Sequence, residues 1–375
     1  MVFSSIPFLF FFLPLFFLLY YLVPFRAKNY VLLVFSLLFY AWGEPIYILL
    51  MVLSSVIDYS IGRLMDHYDK VFWIRTCLLC ASIFANLSIL GFFKYADFFI
   101  ETINLIAHTS IPTLDLPLPI GISFFTFQTM SYSIDLYRRE VKVEKNFFSF
   151  MTYVSMFPQL IAGPIVRFST VNEELHNRVI DFRGFYQGSF RFLQGLIKKV
   201  LLANQMGALW NMIQGQPYGT ISVLTAWLGA VAFTLQLYFD FSAYSDMAIG
   251  MGQMMGFHYL ENFNYPLCAK SVTEFWRRWH ISLSTWFRDY VYISLGGNRK
   301  GIIKQIRNIA IVWFLTGMWH GASWNYILWG VYYGILLILE KFIWGKALKR
   351  WPKILQHGYT FLIVVVGFTV FVFED

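Results

Sequence analysis

The amino-acid sequence predicts an all-α polytopic membrane protein, and three observations carry that reading. Of 375 residues, 58% are hydrophobic and 13% are charged, a charged share about half that of ordinary soluble domains. The runs at 6–23, 71–93 and 361–373 carry few charges, and the longer ones approach the ~20 residues a helix needs to cross a bilayer. None alternates apolar with polar residues as the strands of a membrane barrel do, so backbone hydrogen bonds inside lipid fall to helices.

The first run has no basic residues before it, and Arg26 and Lys28 follow it. We therefore expect no cleavable signal peptide and an outward-facing N-terminus. Residues 30–57 are apolar but interrupted at Gly43, Glu44 and Pro45, which fits one broken helix or two short ones. Residues 58–75 read as a polar connection and 71–93 as the next span. Cys77 and Cys80 lie inside that span and Cys268 stands alone, so they read as small core residues rather than a redox or zinc site. A short helix then precedes a loop marked by Pro112, Pro117 and Pro119. Residues 121–137 are apolar yet threaded with hydroxyls, Gln128 and Asp135, so this helix should face the protein interior, where its polar groups find partners. A basic, cytoplasmic loop follows at 138–145. Pro158 and the pair Gly163, Pro164 interrupt the next apolar run and predict a re-entrant or broken helix beside an internal site.

Residues 167–183 are polar and read as extramembrane, and 184–212 as a helix whose Arg191, Lys198 and Lys199 snorkel to an interface. A span at 221–239 runs without a loop into Asp240 and Asp246, followed by the small, flexible stretch 249–256. Carboxylates at that depth are costly against lipid, so Asp240 and Asp246 should pair with arginines or line a polar cavity. The clearest amphipathic segment is 273–290. Trp276, Trp279, Leu283, Trp286, Phe287 and Tyr290 recur at helical spacing, with Arg277, Ser284 and Arg288 opposite. It should lie in the cytoplasmic interface as one helix, with His280 either in an interfacial polar contact or at the entrance to a buried site. Gly296, Gly297 and Gly301 with Arg299 and Lys300 form a turn or, less simply, a phosphate cradle that lacks the strand of a true phosphate loop.

The hairpin of 302–320 and 323–339 then places His320 near its bend, in an otherwise membrane-embedded segment. An ionisable group there needs partners or a water-filled cavity, so His320 is either a functional residue or a histidine hydrogen-bonded between helices. Gly317 and Gly321 allow close approach of a helix or substrate, and Trp319 and Trp324 supply flat walls. Residues 341–353 are basic, 359–373 form a last short span, and Glu374 and Asp375 follow directly. The net charge of +8 is concentrated: residues 270–307 hold eight basic and two acidic side chains. Such a block marks a cytoplasmic face, able to attract a phosphorylated cosubstrate or anionic lipid, rather than a nucleic-acid site.

Several stretches together resemble the membrane-bound O-acyltransferase family: 119–128, 158–164, 239–246, 261–266, 275–290, 295–299 and 319–324. They run in the family's order between 119 and 330. Within the family the sequence is most similar to the bacterial alginate O-acetylation branch, with the D-alanyl-transfer proteins of teichoic acid related. The resemblance implies a single membrane-embedded domain over 1–375, a bundle of roughly ten spans and re-entrant helices around a central tunnel, lacking C-terminal spans usual in the family. It implies that His320 is catalytic and His280 a second site histidine nearer the cytoplasm. Trp319, Asn325, Asp240, Asp246, Gln128, Arg277 and Arg278 are then candidates to line the tunnel or bind substrate. The implied donor is acetyl-CoA on the cytoplasmic side, with no tightly bound cofactor and no metal. The implied partners are a polysaccharide acceptor, extracytoplasmic polysaccharide-acetylating proteins and membrane lipid, with no nucleic acid, and the implied location is the bacterial inner membrane.

In chemical terms, acyl transfer needs a base for the attacking hydroxyl, and neutral imidazole suits it because its ordinary pKa lies near ~6.5. Asn325 or a backbone N–H near Gly321 could serve the oxyanion. Competing readings are a transporter or flippase of a lipid-linked sugar, weakened by the lack of an internal repeat, and a non-catalytic scaffold of a polysaccharide export complex.

Overall fold

The computed structural model describes residues 2–373; Met1, Glu374 and Asp375 lie outside the described residues. Helices dominate, and no strand occurs among the described residues. Five helices are long and apolar enough to cross a membrane: Ile48–His67, Phe72–Ala107, Val223–Met255, Trp324–Leu348 and Lys353–Val372. The protein is an integral membrane protein of the all-α class.

The chain divides into two compact units, one of residues up to Phe192 with Met247–Leu260, the other of Leu193–Asp246 with the chain from Glu261 onward. In the first unit the interruption at Gly43 to Pro45 separates two helices, Phe25–Gly43 and Ile48–His67. The expected polar connection from residue 58 is instead helical to His67. Asp58 can sit inside that helix because Asn86 Nδ2 donates to it at 2.7 Å and Ser133 Oγ at 2.9 Å, with Ser82 Oγ a third donor. Phe72–Ala107 likewise absorbs the short helix expected after residue 97. Helix Ile122–Tyr137 is buried along most of its length, as its hydroxyl-rich pattern requires. The broken segment at 147–163 is two helices, Phe147–Ser155 and Phe157–Leu160, parted at Met156.

Val223–Met255, with residues in both units, is one continuous helix, so the small residues from 249 are helical rather than flexible until Gly256 ends them at φ +86°. The amphipathic segment also differs from expectation. It is two helices, Val272–Arg278 and Ile281–Phe287, because His280 stands in the left-handed region at φ 45°, ψ 54°. The aromatic stripe survives the break: Trp276, Trp279, Leu283, Trp286, Phe287 and Tyr290 are all buried. Phe275, Trp276 and Trp279 pack with Trp329, Tyr333, Val364 and Phe368 into the core of the second unit. Where this core lies within lipid, close van der Waals packing rather than release of water holds it together.

The hairpin forms as its glycines permit. Helix Ile302–His320 packs on Trp324–Leu339 so closely that a Cβ on Gly317 would stand 2.4 Å from Tyr326 O, and one on Gly330 2.4 Å from Trp313 O. Gly317 therefore serves the approach of a helix.

Candidate active site

Helix Ile302–His320 ends on His320 itself; Gly321 and Ser323 follow with extended backbone before Trp324 opens the next helix. A side chain at Gly321 would meet the Tyr326 ring at 2.1 Å, so this corner takes no Cβ. The half-buried His320 imidazole lies against Trp319 at 4.9 Å between ring centroids, Trp329 at 4.9 Å and Phe371 at 5.2 Å, each close to edge-on. Phe371 comes from the last helix. Asn325 Nδ2 donates to Phe371 O at 2.9 Å and ties that helix to the corner.

His280 is only 2% exposed and lies edge-on to Phe241 at 4.7 Å and near Trp319 at 5.8 Å. The indole of Trp319 thus touches both imidazoles. His280 Nδ1 is 3.1 Å from Asn262 Oδ1, while its Nε2 has no hydrogen-bond partner among the described residues. His280 lies outside the five long apolar helices, and burial pushes its pKa down to about 3, so the ring is neutral.

One cavity of about 1090 Å³ is lined by both histidines. Its wall also carries Lys270, Arg277, Arg288, Lys341, Lys346 and Lys349. Two carboxylates share it, and both are engaged. Glu340 accepts from the backbone N–H of Val272 at 2.8 Å and Thr273 at 2.9 Å, capping helix Val272–Arg278. Glu274 accepts from Arg278 at 2.6 Å and from Lys270 N at 2.9 Å. With Arg288 paired to Asp289 at 2.6 Å, the remaining basic side chains still make the wall electropositive beside neutral imidazole, an arrangement that can hold an anionic ligand and move a proton at its reacting end.

Of the residues singled out in the sequence, His320, His280 and Arg277 come together on this cavity, with Trp319 between the imidazoles. Arg278 is turned to Glu274 and, at 3.4 Å, to Asn264 O. Asp240 and Asp246 each take a lysine: Lys199 Nζ donates to Asp240 at 2.8 Å and Lys198 Nζ to Asp246 at 2.5 Å. Both lysines sit in the π-helical turn Lys198–Ala203. Gln128 belongs to the first unit, buried in Ile122–Tyr137. Asn262, Glu340, Trp329 and Phe371 were missed. A lone carboxylate at the end of the apolar run before Lys341 was the available signal for Glu340; Asn262 lay inside a matched motif without a role.

A family model for the membrane-bound O-acyltransferase family matches residues 8–373. A protein of Pseudomonas aeruginosa named "probable alginate O-acetylase AlgI" is 44% identical over all of this chain and 72% of its own length. A peptidoglycan O-acetyltransferase of Helicobacter pylori is 36% identical over 99% of the chain and 77% of its own length. A teichoic acid D-alanyltransferase of Bacillus subtilis is 30% identical over 67% of the chain and 68% of its own length. With that match over nearly its full length, and with a histidine pair on one cavity of a helical membrane domain, the chain belongs to the membrane-bound O-acyltransferase family.

Proposed function

We propose that this chain moves an acetyl or other short acyl group from a cytoplasmic thioester donor, acetyl-CoA, toward a cell-surface or exported polysaccharide, with His320 as general base. The observation that carries the reading is the single cavity that joins His320 and His280 to six basic side chains. A thioester on a phosphorylated carrier needs cationic walls along its length and a neutral base at its carbonyl. Relatives named for O-acetylation of alginate and of peptidoglycan make a glycan hydroxyl the favoured acceptor. The basic block over 270–307 supports a cytoplasmic position for this side of the protein in a bacterial inner membrane, and delivery to the polysaccharide then falls to extracytoplasmic partners.

In the reaction the acceptor oxygen attacks the thioester carbonyl and His320 takes the hydroxyl proton. The tetrahedral oxyanion collapses, the C–S bond breaks with its electron pair on sulfur, and the imidazolium of His320 returns the proton to the thiolate. Atoms and charge balance with no other reactant. Loss of a general base costs on the order of 10²- to 10⁴-fold in rate. The test is the O-acetyl content of exopolysaccharide in a deletion strain carrying wild type or His320→Ala, with equal membrane levels of both. Acetylation restored by wild type alone is expected. Equal acetylation in both strains overturns His320 as base and favours a scaffold.

A further inference from the structure

His280 holds a backbone conformation that L-residues with a Cβ rarely adopt, in the middle of a stretch whose side chains otherwise suit one unbroken helix. Such a residue persists only where its surroundings fix it, and one neighbour does most of the fixing. Asn262, itself fully buried, accepts from Ile281 N through its main-chain oxygen at 2.9 Å. Its side-chain Oδ1 accepts from Ser282 N at 3.2 Å and Ser282 Oγ at 2.9 Å, and its Nδ2 donates to Ser245 Oγ at 3.1 Å. Two residues on, Asn264 N donates to Arg278 O at 2.9 Å, holding the other side of the break.

This network settles which nitrogen of His280 carries the proton. An asparagine amide can be turned either way, but a backbone N–H can only donate, so the atom facing Ser282 N is oxygen. Oxygen only accepts. His280 Nδ1, 3.1 Å from that same oxygen, must therefore bear hydrogen, and a neutral imidazole has one N–H. Nε2 is left with its lone pair, buried, without a partner among the described residues, on a residue that lines the cavity.

We infer that Asn262 is a positioning residue that locks His280 as the Nδ1–H tautomer, so that Nε2 meets the thioester donor as a hydrogen-bond acceptor. The second half of the inference rests on the acyltransferase reading; the tautomer does not. Two consequences follow. His280 takes a hydrogen bond from an N–H of the donor or from the S–H of the thiol product, and the resting ring has no Nε2 proton to give the departing thiolate, which leaves that proton to His320. Ser245 and Ser282 complete the lock, the first by holding Nδ2 and so preventing the amide from turning over.

The experiment is nitrogen-15 NMR of the full chain in lipid bilayers, labelled on the histidine rings, with His280 assigned by the signals lost in His280→Gln. The expected pair at neutral pH is a protonated Nδ1 and an unprotonated Nε2. Asn262→Asp, which keeps an acceptor toward Nδ1, retains that pair, whereas Asn262→Ala moves His280 toward Nε2–H and lowers kcat/KM on the order of 10²-fold, the scale of a misplaced group. Acetyl-CoA, and separately coenzyme A as the thiol probe, should each move the Nε2 signal. A protonated Nε2 in the wild type, or an unchanged tautomer in Asn262→Ala, overturns the proposal; if Asn262→Ala fails to accumulate, the wild-type and Asn262→Asp spectra decide alone. The predicted tautomer with no response to either ligand and no acetyl transfer would instead sink the acyltransferase reading and leave the lock standing.

Discussion

Gly317→Ala tests whether the close approach of the hairpin helices is what places His320. The added Cβ would stand 2.4 Å from Tyr326 O, 3.2 Å from Tyr326 C and 3.3 Å from Ile327 Cα, and all three are backbone atoms. Ordinary contact begins at 3.4 Å, so the helices must part by about 1 Å, and no flexible side-chain end can yield in their place. Overpacking of this kind costs about 1–3 kcal/mol. His320 ends the displaced helix while Trp329, 4.9 Å from it, rides on the other, so the imidazole moves relative to its cage by a similar distance. A shift of that size costs up to ~10²-fold in rate. The assay pairs thermal unfolding in detergent with acetyl transfer by the same preparation. Gly358→Ala is the control, because nothing lies within 4 Å of that Cβ; in a helix interior the change should stabilise by about 0.5–1 kcal/mol. A Gly317→Ala protein as stable and as active as wild type would refute the placement of His320 by this contact.

Other expectations concern charge. Below its ordinary 6.5, an unfolded His280 takes a proton that the folded site, with its pKa pushed down to about 3, refuses. The stabilisation is therefore present above 6.5 and is lost as pH falls toward 3, at about 1.4 kcal/mol per pH unit. Unfolding midpoints measured between neutral pH and about pH 5 should fall more steeply for wild type than for His280→Gln, by about 2 kcal/mol at the lower end; parallel curves would contradict a neutral buried ring. Arg277→Glu reverses one charge of the cavity wall and should raise the donor KM on the order of 10-fold with kcat nearly kept, an effect that shrinks in high salt; a loss confined to kcat would place Arg277 elsewhere in the cycle. Lys198→Met removes the ammonium from Asp246, whose side chain is 8% exposed against 35% for the lysine. The cost should be about 2 kcal/mol, below the ~3–5 of a fully buried pair. Adding Asp246→Asn should recover part of it in a double-mutant cycle, and no recovery would mean the two do not interact.

The sequence was most informative where one physical rule dominated. Apolar runs located the long helices, and the glycine, tryptophan and histidine around residue 320 located the hairpin corner, because lipid allows few alternatives to a helix and an imidazole there stands out against its neighbours. It was least informative where two rules compete. Asp58 reads as the start of a polar connection, yet it continues a helix because donors from two other helices satisfy it. No local pattern predicts a partner 28 or 75 positions away. The same holds for Asp240 and Asp246: their charge called for cations, but no local pattern shows that Lys199 and Lys198, 41 and 48 positions away, supply them.

The misreading at 273–290 has a more specific cause. Six aromatic and apolar side chains keep a helical period through the segment, and the period is real, since all six are buried. A stripe of that kind reports which side of the chain meets the core; it does not report whether the hydrogen-bond ladder is continuous. The ladder stops at Trp279 and His280 because Asn262 and Asn264 offer the main chain other partners on both sides. Position 280 could have been filled at lower cost by glycine, which enters the left-handed region freely. A histidine there is a residue chosen against local preference, and such conflicts gather where a side chain is needed for something other than folding. The break also turns one ring nitrogen onto an oxygen and leaves the other on a residue of the cavity wall, which a continuous helix, with its backbone engaged in its own ladder, had no means to do.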